Sequence, residues 1–253
     1  MELTDSAEIR QILLTDPRWC VYALGDLSPR MFAKCRWFTP GLTLVLRDYG
    51  TSILFAHGIG GIREALNHVS WPVHLQVQPA GLEEVARHAR VEQVKHMLRM
   101  WWSASEGSAA VALEATSGIA VKRLDLGDIP ALRALYADGD ATGESPDFFY
   151  DSMVPDGVFF GIYEGAELVA AAGTHLFAPD EGAAAIGNVY TRKDRRGRGL
   201  GRAVTAAVLQ RLRGLDIIGL NVREDNVAAI RVYESLGFGR HCEFREALAT
   251  GPR

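Results

Sequence analysis

The segment Thr191–Arg202, T-R-K-D-R-R-G-R-G-L-G-R, has the residue types that hold a diphosphate. An apolar run ending in Asn188-Val189-Tyr190 precedes it, and the periodic segment Leu200–Leu212 follows. A strand is therefore expected to feed a basic, glycine-rich turn that opens directly onto a helix. Such a junction collects backbone N–H groups with no intrahelical acceptor, and the helix dipole adds partial positive charge there. Gly197, Gly199 and Gly201 let the chain bend without Cβ clashes and let a ligand touch the backbone. Arg192, Lys193, Arg195, Arg196, Arg198 and Arg202 place six of the 27 Lys and Arg residues within eleven positions, so a cationic collar around a pyrophosphate is expected.

Two phosphate motifs are excluded. A P-loop needs a Gly-Lys pair, which the chain lacks, and the dinucleotide fingerprint fails because Gly197-x-Gly199 is followed by Arg202 and Gly199-x-Gly201 by Val204. What fits is R-x-x-G-x-G, as Arg196-Gly197-Arg198-Gly199-Leu200-Gly201. Downstream lie Asn221, in an apolar strand, and the pattern N-x-x-A-x-x-x-Y-x-x-x-G-F, as Asn226…Ala229…Tyr233…Gly237-Phe238. In combination these features resemble the GNAT acetyltransferase superfamily.

Composition is that of a globular protein. Of 253 residues, 48% are hydrophobic and 23% charged, enough for one large domain or two ordinary ones. The net charge of −4 argues against a general nucleic-acid binder. Cys20, Cys35 and Cys242 make an odd count without metal spacing, which suits reduced thiols and a cytoplasmic location. His68, His74, His88 and His96, four of the seven histidines, are scattered and lack a metal pattern, and no metal is expected. Met1–Arg10 reads as no signal peptide, and no apolar run is long enough for a membrane span.

The elements that must position the turn follow from periodicity. In the first part, residues 6–15 read as a helix and Trp19–Leu27 as a short one. Leu42–Arg47 and Thr51–His57 read as paired strands, and Gly60–Val69 and Pro79–Arg90 as helices around a strand Val73–Val77. Val91–Trp102 is expected to be extended, and His57-Gly58-Ile59-Gly60-Gly61 a tight strand-to-helix turn. The small, polar residues 103–118 mark a junction between an N-terminal domain, 1–115, and a C-terminal one, 119–253.

The second part begins with a strand Ala120–Leu124 and a helix through Tyr136, opened by Asp128 as N-cap and Pro130. Pro146–Met153 reads as helical, and Val158–Tyr163 with Glu167–Phe177 as a hairpin. Ala183–Tyr190, Ile217–Val222 and Gly239–Arg245 read as strands, and Asn226–Leu236 as a helix. The succession resembles the GNAT fold: an α/β (α+β) class with a central mixed, splayed sheet. The N-terminal part resembles the degenerate, GNAT-like half of two-part members such as the glycine N-acyltransferase-like branch, expected to shape the acceptor pocket.

The resemblance implies acetyl-CoA as co-substrate and no metal. Gly197–Arg202 would hold the CoA diphosphate, with main-chain bonds from Val189, Tyr190 and Thr191 to the pantetheine arm and an N–H near Val189 or Tyr190 facing the thioester carbonyl. Asn221, Asn226 and Ala229 would lie further along the cofactor. Tyr233 stands seven residues after Asn226, on the same helix face, and a phenol with a pKa near ~10 keeps its proton at neutral pH and can donate to a departing thiolate. Its spacing from Ile230 and Gly237 also suits a core tyrosine.

Where many members carry a glutamate before the turn, this chain has Ile186, Gly187 and Asn188. His175 is the most base-like residue nearby, with Asn188 able to hold a water, and a low-pKa amine would need no base. Glu144 and Asp147 fall in the region that lines the acceptor site. The expected reaction is acetyl transfer to a primary amine, on a small molecule or a peptide, by direct attack in a ternary complex. A longer acyl group placed on an amino acid, and a non-catalytic CoA-binding regulatory module, are the alternatives; a homodimer stays open.

Overall fold

The computed structural model describes residues 1–48, 50–102, 120–146 and 148–253. These form two compact units: Met1–Met100 with Asn221–Asn226 and Arg240–Arg253, and Trp101–Leu220 with Val227–Gly239. The junction expected at 103–118 lies outside the described residues.

Along the first unit run β1 (Glu2–Leu3), α1 (Ser6–Leu13), α2 (Val21–Gly25), α3 (Pro29–Phe32), β2 (Cys35–Phe38), β3 (Leu42–Asp48), β4 (Thr51–His57), α4 (Ile62–Leu66), β5 (Val73–Val77), α5 (Pro79–His88) and β6 (Ala89–Trp102) up to Met100. Asp5 caps α1, accepting from Ala7 N at 2.8 Å and Glu8 N at 3.4 Å, and Ile9 and Leu13 bury its apolar face. The short strands β1 and β2 and the one-turn α3 carry too few residues for a readable period, and sequence reasoning missed them.

The second unit holds β7 (Lys122–Arg123), α6 (Ile129–Asp140), α7 (Met153–Asp156), β8 (Phe160–Glu164), β9 (Glu167–Ala178), β10 (Ala183–Thr191), α8 (Leu200–Leu212), the part of β11 (Ile217–Arg223) up to Leu220, and α9 (Val227–Ser235). The chain ends in β12 (Gly239–Pro252), seven residues longer than the expected Gly239–Arg245. Its extension has a partner: Arg245–Ala249 pairs antiparallel with Val77–Val73 of β5 and so completes the first unit's strand order, β1-β2-β3-β4-β5-β12-β6.

In the second unit the order is β11-β10-β9-β8-β7. β9 is buried on both faces from Leu168 to Thr174, as a central strand must be, and Ala170–Ala172 and Ala183–Ala185 keep the side chains there short. α8 buries Leu200, Ala203, Val204, Val208 and Leu212 on one face.

Two local expectations need correction. Among the described residues, helix appears at Met153–Asp156 rather than across Pro146–Met153, where Phe149 instead packs edge-on against Tyr136 and Phe159. Asp128 precedes α6 but its carboxylate does not cap that helix. It turns back to accept from Asp125 N at 3.0 Å, Lys122 Nζ at 2.8 Å and Tyr163 Oη at 2.7 Å, closing a reciprocal box in which Asp125 caps the preceding 3-10 turn.

Candidate active site

The site is organised by an irregularity in β10. Gly187 pairs with Gly173 of β9, and the next pair is Tyr190 with Ala171, so Asn188 and Val189 stand against the single Ala172. This is a β-bulge, and Asn188 bears its strain with φ at +51°. Asparagine is among the few side chains that tolerate left-handed backbone. Asn188 is buried, and its carbonyl accepts from Tyr136 Oη at 2.9 Å, which fixes the bulge against α6.

On the opposite edge, the parallel ladder to β11 runs from Ala183↔Ile217 to Ile186↔Leu220 and stops. Among the described residues, the β11-side edge of Gly187–Thr191 therefore lies outside a ladder. Backbone donors and acceptors on such an edge need a partner, and an extended amide-bearing chain is what a strand edge recognises.

The turn after Thr191 follows at once. Lys193–Arg195 is a 3-10 turn, Arg196 is extended, and Gly197 and Gly199 both take φ of +76°. Gly199 is the N-cap of α8 and offers no side chain to cap it. The helix's first ladder bond runs from Ala203 N to Gly199 O at 3.0 Å. The N–H groups of Leu200, Gly201 and Arg202 thus stand ahead of the helix's own acceptors, with the positive end of the dipole behind them. Asp138, at the end of α6, braces this turn by accepting from both Tyr190 Oη at 2.9 Å and Lys193 N at 3.0 Å. That backbone bond holds the Asp138 carboxyl below its usual range, while burial and then Asp138 push the Tyr190 phenol up to about 12.

The cationic collar is corrected by the structure: most of its arginines are paired with carboxylates. Arg192 bonds Glu167 and Asp194; Arg195 reaches Glu164 at 2.7 Å and Asp194 at 2.6 Å; Arg198 reaches the other Glu164 oxygen at 2.7 Å. Arg196 forks onto Glu144 at 3.0 and 3.2 Å and lies over the Tyr190 ring. Arg196 and Thr142 hold the Glu144 carboxyl below its usual range. Arg202 is placed otherwise, with Nε on Ser235 Oγ at 3.3 Å, which ties the start of α8 to the end of α9.

Tyr233 is buried on α9 two residues before Ser235, with its ring edge-on to Phe238 at 6.1 Å. His175 faces the bulge: its Nε2 lies 3.2 Å from Asn188 Oδ1, and its ring covers Gly187 so closely that a Cβ there would stand 2.5 Å from it. Asn188 Nδ2 points at Met153 Sδ, 3.6 Å away. His175 and Asn188 are within hydrogen-bond distance, and which of the two donates follows the imidazole tautomer.

The structure thus brings Asn188, Val189, Tyr190, Thr191, Arg196–Arg202, His175, Glu144, Ala229 and Tyr233 into one unit. Asn221 and Asn226 fall in the other: Asn221 Nδ2 bonds Glu246 Oε1 at 3.3 Å, and Asn226 N bonds Arg223 O at 3.0 Å. Asp147 lies outside the described residues. Sequence reasoning missed Asp138 and Glu164, because neither stands in a motif. A Gly-Asn pair inside an apolar strand was the available sign of the bulge.

The sequence model of the Acetyltransferase (GNAT) family matches residues 129–238. A mycothiol acetyltransferase of Geodermatophilus obscurus is 44% identical over 89 residues, 33% of this chain and 29% of that protein. Its counterpart from Thermobispora bispora is 48% identical over 88 residues, 32% and 30% of the two chains. The matched segment therefore spans less than a third of either relative. A GNAT-family protein from Novosphingobium aromaticivorans shares the fold with a TM-score of 0.64 at 22% identity, covering 91% of this chain and 96% of that one.

Proposed function

We propose that this chain, an acyltransferase carrying a GNAT acetyltransferase domain at residues 129–238, moves the acetyl group of acetyl-CoA onto a primary amine by direct attack in a ternary complex. The observation that carries the reading is the order of features along β10: a bulge at Asn188, an edge outside the ladder from Gly187 to Thr191, then a glycine turn at a helix start. The residues fit the co-substrate. The amides of Leu200–Arg202 suit the diphosphate, and the free edge of β10 suits the amide-bearing pantetheine arm. The Val189 N–H, displaced from the ladder by the bulge, is the donor we assign to the thioester carbonyl.

The thioester supplies an activated acyl carbon. The chain's own residues handle the protons. An alkylamine with a pKa near ~10.4 is about one part in 10³ neutral at pH 7. His175, beside Asn188, receives the amine proton directly or through one water. Tyr233 then donates its phenolic proton to the leaving thiolate as the tetrahedral adduct collapses, and the thiol is released. The relatives named mycothiol acetyltransferase favour a small-molecule amine over a peptide as acceptor.

Thiol release from acetyl-CoA, followed against a panel of small amines and peptide amines, tests this reading. Turnover with at least one small amine and a linear dependence of the acetylated product on thiol release is expected. Release of thiol without acetylated amine, or turnover that needs a covalent acetyl-enzyme, would overturn it.

A further inference from the structure

The turn after β10 begins with an amide that needs an acceptor. Lys193 opens the 3-10 turn Lys193–Arg195, and the opening N–H groups of such a turn find no acceptor within it. A serine, threonine, asparagine or aspartate just before the turn would supply one. Arg192 stands there instead, and its side chain makes no capping bond. The acceptor comes from 55 residues earlier, where Asp138 Oδ2 lies 3.0 Å from Lys193 N. The same oxygen accepts from Tyr190 Oη at 2.9 Å. One carboxylate oxygen thus ties a buried side chain of β10 to the first amide of the turn.

Asp138 is poorly placed for its own helix. It shares the last turn of α6 with Asp140, no basic residue falls in that turn, and a carboxylate there meets the negative end of the helix dipole. Helix stability would favour a neutral or basic residue at this position. The end of α6 is nevertheless held firmly. Gly139 O accepts from Thr142 N and Glu144 N, both at 3.1 Å, and a Cβ on Gly139 would stand 2.5 Å from Ser145 N. The chain therefore doubles back against the residue next to Asp138 and fixes the point from which the carboxylate reaches out. All of these groups belong to the second unit.

We propose that Asp138 is a positioning residue for acetyl-CoA: it acts as a remote N-cap that sets the path of the turn and, through it, the direction of the Leu200–Arg202 amides. This rests on the reading that those amides hold the diphosphate. The arginine–carboxylate pairs around the turn join exposed, flexible side chains, whereas the Asp138 bond is partly buried and made to the main chain itself. It is also charge-assisted, and so among the stronger bonds open to a turn. Because the effect passes through the backbone of the turn, it belongs to cofactor affinity, and only to a cofactor that carries the diphosphate.

The test uses the full chain and two thioesters, acetyl-CoA and S-acetylpantetheine, which shares the thioester arm and has no diphosphate. Thiol release gives KM and kcat for each, and NMR follows exchange of the Lys193 amide in the ligand-free protein. Asp138→Ala removes the acceptor. Its KM for acetyl-CoA should rise about tenfold with kcat within about twofold, KM for S-acetylpantetheine should hold, and the Lys193 amide should exchange at least about tenfold faster. Asp138→Asn keeps one oxygen for both donors and should stay within about twofold in every readout. Tyr190→Phe removes one donor and should raise KM for acetyl-CoA alone, by about threefold; it decides the matter should Asp138→Ala fail to fold. Asp5→Ala, which deletes the local cap of α1 in the first unit, is the control for lost stability and should leave both KM values as they were. A rise in KM for both thioesters alike, an unaltered Lys193 amide in Asp138→Ala, an unmoved KM in Tyr190→Phe, or the same KM rise in Asp5→Ala would each overturn the assignment. Equal KM values for the two thioesters in the unmodified protein would instead remove the diphosphate reading of the turn, and the Lys193 amide would then judge the brace by itself.

Discussion

Gly199→Ala isolates the contribution of the turn to acetyl-CoA binding. Gly199 has φ of +76°, and nothing lies within 4 Å of where a Cβ would stand. Alanine there meets no atom; it adds only the left-handed backbone penalty, about 1–2 kcal/mol. If the amides of Leu200–Arg202 hold the diphosphate, that penalty falls on the binding-competent turn. At ~1.4 kcal/mol per decade, KM for acetyl-CoA should rise about 5–30-fold while kcat stays within about twofold. Gly50→Ala is the matched control: φ of +74°, again nothing within 4 Å, and in the first unit. It should lower stability by a comparable amount and leave KM as it was. Initial rates of thiol release against acetyl-CoA concentration, with denaturation midpoints for both variants, provide the comparison. The reasoning is refuted if the two variants lose similar stability and share the unmodified KM, or if Gly199→Ala reduces kcat alone.

Tyr233→Phe should lower kcat by about 10²–10⁴ with KM for acetyl-CoA within about threefold, and an unchanged kcat would remove Tyr233 as the acid. Asn188→Gly keeps the positive φ but drops the amide, whereas Asn188→Ala loses both. Only the alanine variant should raise KM for acetyl-CoA, by about tenfold, and equal KM values would show that the bulge does not serve binding. Asp26 is buried beside Asp48, and burial pushes its carboxyl from 3.8 up to about 7. The folded state therefore holds a proton that the unfolded chain has released, so this group makes stability fall as pH rises from 4 to 7. Asp26→Asn should be more stable than the unmodified protein at pH 8, by on the order of 4 kcal/mol, and no different below pH 4; urea midpoints across that range check the sign, and a constant difference would contradict it.

The turn was legible because its residues are consecutive and chemically loud. Glycines at two-residue spacing, flanked by a buried strand and an amphipathic helix, allow few conformations, and the structure has both Gly197 and Gly199 at positive φ. The long strands and α8 were readable for the same reason: their periods repeat often enough to outweigh chance. What stayed hidden depends on residues distant in sequence. The reach of β12 to Pro252 is decided by β5, some 170 residues earlier. Likewise, Asp138 braces Tyr190 and Lys193 across more than fifty residues, and nothing local marks it. The neighbours of Asp128 were visible, but which donors its carboxylate would choose depended on where Tyr163 was placed.

The arginine cluster teaches the more specific lesson, since composition there suggested a function that geometry redirects. Arg192, Arg195, Arg196 and Arg198 face Glu144, Glu164, Glu167 and Asp194, so four guanidinium charges meet four carboxylates and the turn is far less positive than its sequence. Exposed ion pairs of this kind are weak and screened by salt, so their effect on affinity is small either way. Their effect on shape is larger. Glu164 anchors the turn from the β8–β9 hairpin through two arginines, Glu144 from the segment after α6 through a third, and Asp138 through the backbone itself. A turn with two left-handed glycines would otherwise sample many conformations. The arginines thus act as guy-lines for the backbone. If the turn holds the diphosphate as proposed, its donors are the amides at the start of α8, whose direction is set by the helix rather than by flexible side chains.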